Sequence, residues 1–313
     1  MGTLSFANVT LRAHLALLLA MFIWGSSFIA LKIAVNDLAP MIVVFMRMSI
    51  GALAFLVVWP WLRHGFNYQT GDWKYLLGMA LFEPCLYFIF EAKALQYTSA
   101  GQAGMITAML PLLTAIAAFF ILRERSHWRQ WLGFAVAVAG VVWMTVTGED
   151  DDQAPNAALG NFLELLAMCS AVGYTLMVKH LTRRYSAFFL TALQSFVGSV
   201  FFLPLALASD WPETISTHTA GLLVYLGLVV TLGAYGLYNY SLTYLKATVA
   251  AGYTNLLPAF TLLFSMALLG ERLTWGQWIA IGMVFIGVYL SQERRRKRKD
   301  ELSSPEAPPP VTG

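Results

Sequence analysis

Residues 107–114 read TAMLPLLT, and residues 254–261 read TNLLPAFT. The two stretches stand 147 residues apart and carry threonine, proline and threonine at the same three positions, so Pro111 answers to Pro258. The match spreads outward on the same register. Gly51 pairs with Gly198, Tyr97 with Tyr244, Trp128 with Trp275, Trp131 with Trp278 and Gly140 with Gly287. The dipeptide Glu124-Arg125 recurs as Glu271-Arg272. No gap is needed from about residue 47 to residue 145. Self-similarity at one fixed period is the signature of a duplicated unit.

The composition says what that unit is. Of the 313 residues, 58% are hydrophobic and only 12% charged, against about 25% charged in a soluble domain. Charge-free runs cover 15–31, 130–148, 185–209, 219–245, 247–270 and 273–292. A membrane-spanning helix needs roughly 17 to 25 predominantly apolar residues. The hydrophobic pattern predicts ten helices, over 13–35, 40–61, 73–96, 99–121, 128–147, 158–180, 186–207, 219–243, 248–268 and 275–292. Arg12 before the first run raises the alternative of a signal peptide, but the run is long for one, and a retained helix is expected. Each copy then holds five helices, an odd number, so the second must enter the membrane from the opposite side. The expected fold is an all-α integral membrane protein of ten transmembrane helices, built as two inverted five-helix repeats over 13–147 and 158–292. A basic and then disordered tail follows over 293–313.

Lys and Arg favour cytoplasmic loops. Alternate loops and the ends carry Arg12, Arg63, Lys74, Arg123, Arg125, Arg129, Lys179, Arg183, Arg184, Lys246 and the basic run 294–299. The intervening loops hold Asp37, the acidic run 149–152, Asp210 and Glu213, with Arg272 as their one cation. Both termini are therefore expected in the cytoplasm, with the chain in the inner (plasma) membrane. Cys85 and Cys169 fall inside predicted helices and imply no disulfide framework. The expected partners are a small-molecule substrate, the lipid bilayer and, as a coupling candidate, protons. Nucleic acid is not expected, no cofactor or metal is implied, and oligomeric state is not legible.

Inverted repeats recur in secondary transporters, because two opposed halves can exchange inward-open and outward-open shapes. Channels also carry them, so a passive facilitator for small solutes is the alternative. The duplicated five-helix plan, Trp24-Gly25-Ser26-Ser27, Pro40 with Arg47, and the paired Glu-Arg and Trp endings together resemble the drug/metabolite transporter superfamily. The EamA-type ten-helix transporters look closest, over about residues 13–292. That resemblance implies export of small metabolites such as amino acids. The copies differ at one charge: Gln194 stands where the first repeat has Arg47. An enzyme is not expected. There is no His-Glu-x-x-His pattern, no P-loop, and the five histidines are scattered.

Charges within a bilayer are costly and mark functional positions. Glu83, followed by Pro84, falls near the middle of the third helix. Burial disfavours its charged form, which makes it the candidate for proton coupling or for holding a cationic group; a structural hydrogen bond is the plainer alternative. Glu83 and Tyr87 share one helix face, and so do Tyr235 and Asn239 in the eighth helix. The expected lining also includes Trp24 and Ser27 from the first helix, Tyr174 from the sixth, and Thr107, Asn255 and Pro258 from the fourth and ninth. Pro84, Pro111 and Pro258 should break their helices and free carbonyls for hydroxyls, water or substrate. Arg47, Glu91, Lys93 and Glu164 are read as an outer polar network, with a structural ion-pair role favoured. Glu124 and Glu271 suit helix N-termini.

Overall fold

The computed structural model describes residues 2–62, 68–122, 128–147, 154–245 and 247–291. The basic tail, Glu124, the run 149–152 and the loop cations Arg63, Arg123, Arg125 and Lys246 lie outside the described residues. The described residues are 88% helical, with no strand among them. In chain order the rods are α1 (Gly2–Asp37), α2 (Pro40–Leu62), α3 (Asp72–Tyr97), α4 (100–122), α5 (Trp128–Thr147), α6 (Ala157–Leu181), α7 (Ala187–Leu207), α8 (Thr217–Tyr244), α9 (247–269) and α10 (Trp275–Ser291). Seven contain stretches long and apolar enough to cross a membrane, namely α1 to α4 and α6 to α8. The apolar parts of α5, α9 and α10 are shorter, at Trp131–Thr147, Thr254–Leu269 and Trp275–Leu290.

Helix ends follow local chemistry. Pro40 occupies the first helical position of α2, where its missing N–H costs nothing. The side chains of Ser99, Asn156, Ser186 and Ser216 each accept the N–H of the residue three positions on, and so start α4, α6, α7 and α8. α9 stops at Gly270, whose φ of 67° suits a residue without Cβ. α1 begins at Gly2 rather than at residue 13, because no proline or turn pair interrupts the chain before Arg12.

Side-chain burial is arranged for lipid. Leu53, Leu56, Val57, Val142, Val146, Leu203, Leu207, Ile279 and Ile286 are exposed on the outside of the bundle. Arg47, Glu83, Glu91, Glu164, Thr191 and Asn239 are buried within it. A water-soluble fold would reverse that order, whereas a bilayer rewards it.

The packing is also self-similar. α2 packs on α7, α5 on α10 and α4 on α9; α1 packs on α8 and α9, and α6 on α3 and α4. Exchanging each helix for the one five places along maps this set onto itself. Small residues stand where backbones meet. A Cβ on Gly140 would lie 2.9 Å from the Ala280 carbonyl oxygen, and one on Gly287 2.5 Å from the Gly133 carbonyl oxygen. Lys32 on α1 donates to the Leu95 and Thr98 carbonyls at the end of α3, at 2.7 and 3.0 Å. Lys179 on α6 donates to the Leu242 and Leu245 carbonyls at the end of α8, both at 2.6 Å. All three positions of one contact stand 147 residues from those of the other.

The breaks are paired too, but not as the prolines alone suggest. Short 3-10 turns at Thr107–Met109 and Thr254–Leu256 precede Pro111 and Pro258. The carbonyl that each proline would orphan is taken by the backbone: Leu110 N–H bonds to Thr107 O, and Leu257 N–H to Thr254 O. Those carbonyls are not left for a substrate, contrary to the sequence expectation, because the tighter turn reassigns them. Wider π-type turns interrupt α3 at Leu81–Leu86 and α8 at Tyr225–Ala234. In α3 the backbone of Glu83 is extended (φ −150°, ψ 119°), and the Glu83–Pro84 peptide is cis.

Candidate functional site

The break in α3 delivers Glu83 to a cavity between α1, α2, α3, α4, α6, α8 and α9. Trp24, Ser27, Glu83, Tyr87, Thr107, Tyr174 and Tyr235 line it together. Its free volume is about 50 Å³. That is room for a few waters and far below the roughly 300–1,000 Å³ of a drug-sized ligand site, so the cavity is contracted in this structure.

Aromatic rings form much of the wall. Trp24 meets Tyr235 and Tyr238 with ring centroids 4.9 and 5.0 Å apart. The Trp24 Nε1–H is buried and has no hydrogen-bond partner. Glu83 is buried and hydrogen-bonded by Tyr235. Arg47 enters from α2: its Nε donates to the Thr231 hydroxyl at 2.9 Å, and its guanidinium stacks 4.3 Å from the Phe88 ring centroid. One guanidinium nitrogen stands 3.8 Å from Glu91 Oε2. The Tyr87 hydroxyl donates to the other Glu91 oxygen at 2.7 Å. The site thus offers a cation, carboxylates, an unused donor and ring faces around one small cavity. Such a set can hold an amphipathic organic molecule by its charged groups and its apolar body.

Other candidates stand elsewhere. Asn239 is one layer behind the cavity: its Oδ1 accepts from the Tyr174 hydroxyl at 3.0 Å, and its Nδ2 donates to Thr191 at 2.9 Å. It supports Tyr174 rather than lining the space. Asn255 does not line the cavity either; its neighbour Thr254 does, because the turn at 254–256 points Thr254 inward. Pro84, Pro111 and Pro258 shape the backbone without lining the cavity. Arg47 and Glu91 do line it, so they belong to the cavity as well as to an ion pair. Lys93 faces outward and does not join them, because it falls two residues past Glu91 on the opposite side of α3. Glu164 is buried next to Glu91 and Tyr87. Glu271 does cap a helix, accepting the Ala100 and Gly101 N–H groups at 3.0 Å each, but the helix is α4 and not α10.

The comparisons with known proteins agree with this picture. A profile of the EamA-like transporter family matches residues 11–146 and matches again over residues 158–292. The chain belongs to the EamA-like transporter family. A Bacillus subtilis protein named uncharacterized transporter YcxC is 30% identical to it over 302 residues, covering 91% of this chain and 95% of its own length. An Archaeoglobus fulgidus uncharacterized transporter is 28% identical over 289 residues, covering 91% and 99%. The Arabidopsis thaliana WAT1-related protein At3g02690, chloroplastic, is 24% identical and covers 92% of this chain and 71% of its own. A solved crystal structure shares the fold at 16% identity, with a TM-score of 0.61 over 91% of this chain and 96% of that one. The protein is an integral membrane transporter, and these names indicate a transporter rather than an enzyme.

In this EamA-like transporter, sequence reasoning missed the apolar side of the cavity. Phe28, Leu110, Met168, Ala171 and Leu257 complete its wall. In an all-apolar helix a cavity-facing leucine carries no mark distinguishing it from a lipid-facing one. Tyr238, on the α8 face of Tyr235, and Thr175, next to Tyr174 in α6, also line the cavity and hydrogen-bond to each other at 3.1 Å.

Proposed function

We propose that this protein is a secondary transporter that exports small organic metabolites such as amino acids across the inner (plasma) membrane. All ten helices cross the membrane, as two five-helix repeats of opposite topology, and both termini lie in the cytoplasm. Alternating access arises from exchange between the two halves. The observation that carries the reading is the cavity itself: charged and aromatic groups converge between broken helices of both halves, where inverted-repeat carriers hold their cargo. The equivalent Lys32 and Lys179 contacts and the self-similar helix packing support the two-fold plan. The contracted volume supports a carrier that encloses its cargo over an open pore. Within the site, Glu83 faces the cationic group of the cargo or takes up a proton in its place, while Arg47 stays paired with Glu91.

The test is uptake and efflux by purified protein in liposomes, with a panel of labelled amino acids, with and without a pH gradient. Saturable flux with counterflow is expected. Flux that rises linearly with concentration and shows no counterflow would establish the passive facilitator instead. Glu83→Gln keeps size and hydrogen bonding but cannot titrate, so its substrate preference changes if Glu83 faces the cargo, and its pH dependence changes if Glu83 takes up the proton. Unchanged behaviour in a folded variant assigns Glu83 a structural role.

A further inference from the structure

Glu164 is 0% exposed, and neither of its carboxylate oxygens has a hydrogen-bond partner. It faces Glu91 across the contact between α6 and α3. The Glu91 Oε2 oxygen is likewise buried without a hydrogen bond, with the Arg47 nitrogen at 3.8 Å as its nearest cation. Three carboxylate oxygens from these two neighbouring side chains are therefore buried without a hydrogen bond. The surrounding elements do not supply one. α4, packed against α6, carries no ionisable side chain anywhere in 100–122, and α5 carries only Arg129, at its far end. α3 contributes Tyr87, already given to Glu91, and Glu83; α2 contributes Arg47; α1 contributes Lys32, whose ammonium is given to the Leu95 and Thr98 carbonyls; and of the phenols on α8, Tyr235 and Tyr238 face the cavity. If Glu83, Glu91 and Glu164 were all ionised, one guanidinium would face three carboxylates. Uncompensated charges of this kind are strongly disfavoured in an apolar interior.

We propose that the Glu91–Glu164 carboxyl pair is the proton-binding site of this transporter, separate from Glu83, which is left to the cargo. The inference rests on the transporter reading above. Tyr87 joins the two places, since it lines the cavity and donates to Glu91. A proton from cavity water binds a Glu164 oxygen, forming one O–H bond. The same bond breaks, returning the proton to water, when the cavity opens to the other side. On uptake a hydronium O–H bond in the cavity breaks and leaves water; on release a water molecule takes the proton and the hydronium O–H bond is re-formed, so bonds and charge balance. Arg47 compensates Glu91 and the proton compensates Glu164, so a cation on the cargo is left to compensate Glu83.

The test uses full-length protein in liposomes and two readouts. In pH-difference infrared spectra, the wild type should show the carbonyl stretch of a neutral carboxylic acid, lost at high pH and shifted in deuterium oxide. Glu164→Gln should lack that band, Glu83→Gln should keep it, and Glu91→Gln should move the pH at which it is lost. In flux measurements with the labelled amino-acid panel, Glu164→Gln should abolish accumulation driven by a pH gradient, to the level seen when a protonophore collapses it. A band that persists in Glu164→Gln, or that disappears only in Glu83→Gln, overturns the proposal, as does a band that responds to sodium ions and not to pH. The infrared readout needs no cargo. If the wild type moves no amino acid, the transport reading fails while the carboxyl assignment is still decided.

Discussion

Replacing Lys32 by methionine should destabilise the protein far more than replacing Lys179, although the two lysines make equivalent contacts. Each ammonium binds two carbonyls at the C-terminal end of a helix. A hydrogen bond to a charged group contributes about 1.5–3 kcal/mol, and a buried carbonyl left without a partner costs about 1–3 kcal/mol. Lys32 is 1% exposed, so no water can replace it at Leu95 O and Thr98 O. Two abandoned carbonyls give a cost of about 2–4 kcal/mol, after allowing for the desolvation that a buried ammonium itself demands. Lys179 is half-buried. Water reaches its carbonyls, and the loss should be nearer the 0.3–1 kcal/mol of an exposed cation at a helix C-terminus. Reversible unfolding in mixed detergent micelles, followed by circular dichroism, compares Lys32→Met and Lys179→Met directly. Equal losses, or a harmless Lys32→Met, would refute the argument that burial at these helix ends sets the cost.

Gly287→Ala should cost about 1–3 kcal/mol by overpacking, because its Cβ would meet the Gly133 carbonyl oxygen. Gly282→Ala on the same helix, with nothing within 4 Å, should be neutral or stabilising by up to about 1 kcal/mol; thermal melting of the two variants separates contact from propensity. Trp24→Phe removes the unpartnered N–H in the cavity wall, and if the cargo accepts that bond the apparent KM should rise about tenfold, the equivalent of about 1.4 kcal/mol. Tyr185, in the turn between α6 and α7, donates to Asp72 at 2.9 Å, and burial together with that bond pushes its phenol up to about 12. Since the neutral phenol is the favoured form, the stability it contributes is present below pH 10 and is lost as pH rises through about 12. Ultraviolet titration of wild type minus Tyr185→Phe measures it, and Asp72→Asn should bring the ionisation back toward the usual tyrosine range.

Much of the architecture is written in the chain because lipid enforces it. Runs without charge must be helical in a bilayer, so the helices fall within a few residues of the expected ends except at Gly2. The proline pair correctly marked where α4 and α9 change pitch, but which group takes the orphaned carbonyl depends on a turn that sequence does not specify. For the cavity, helical spacing put Glu83 with Tyr87 on one face of α3, and both line it together with Trp24 and Tyr235. It failed where a position sits between two surfaces. Asn239 faces inward but toward Tyr174 and Thr191, and Lys93 lies on the charged stretch of α3 but past the edge of the bundle. Neither periodicity nor polarity distinguishes the wall of a cavity from the layer behind it.

The duplication itself divides the labour between scaffold and chemistry. Residues that recur after 147 positions hold helices together: Lys32 and Lys179, Gly140 and Gly287, Pro111 and Pro258. The buried charges in and beside the cavity do not recur. Arg47 answers to Gln194, Glu83 to Val230, Glu91 to Tyr238 and Glu164 to Leu17. On the inverted-repeat reading proposed above, a scaffold that is nearly its own inverse has two shapes of comparable free energy, and neither shape is selected by packing alone. The asymmetric charges then decide which shape is favoured with the proton or the cargo present, because a ligand shifts such an equilibrium only by its difference in affinity for the two states. A difference of about 1.4 kcal/mol shifts it tenfold, well within what one buried carboxyl can supply.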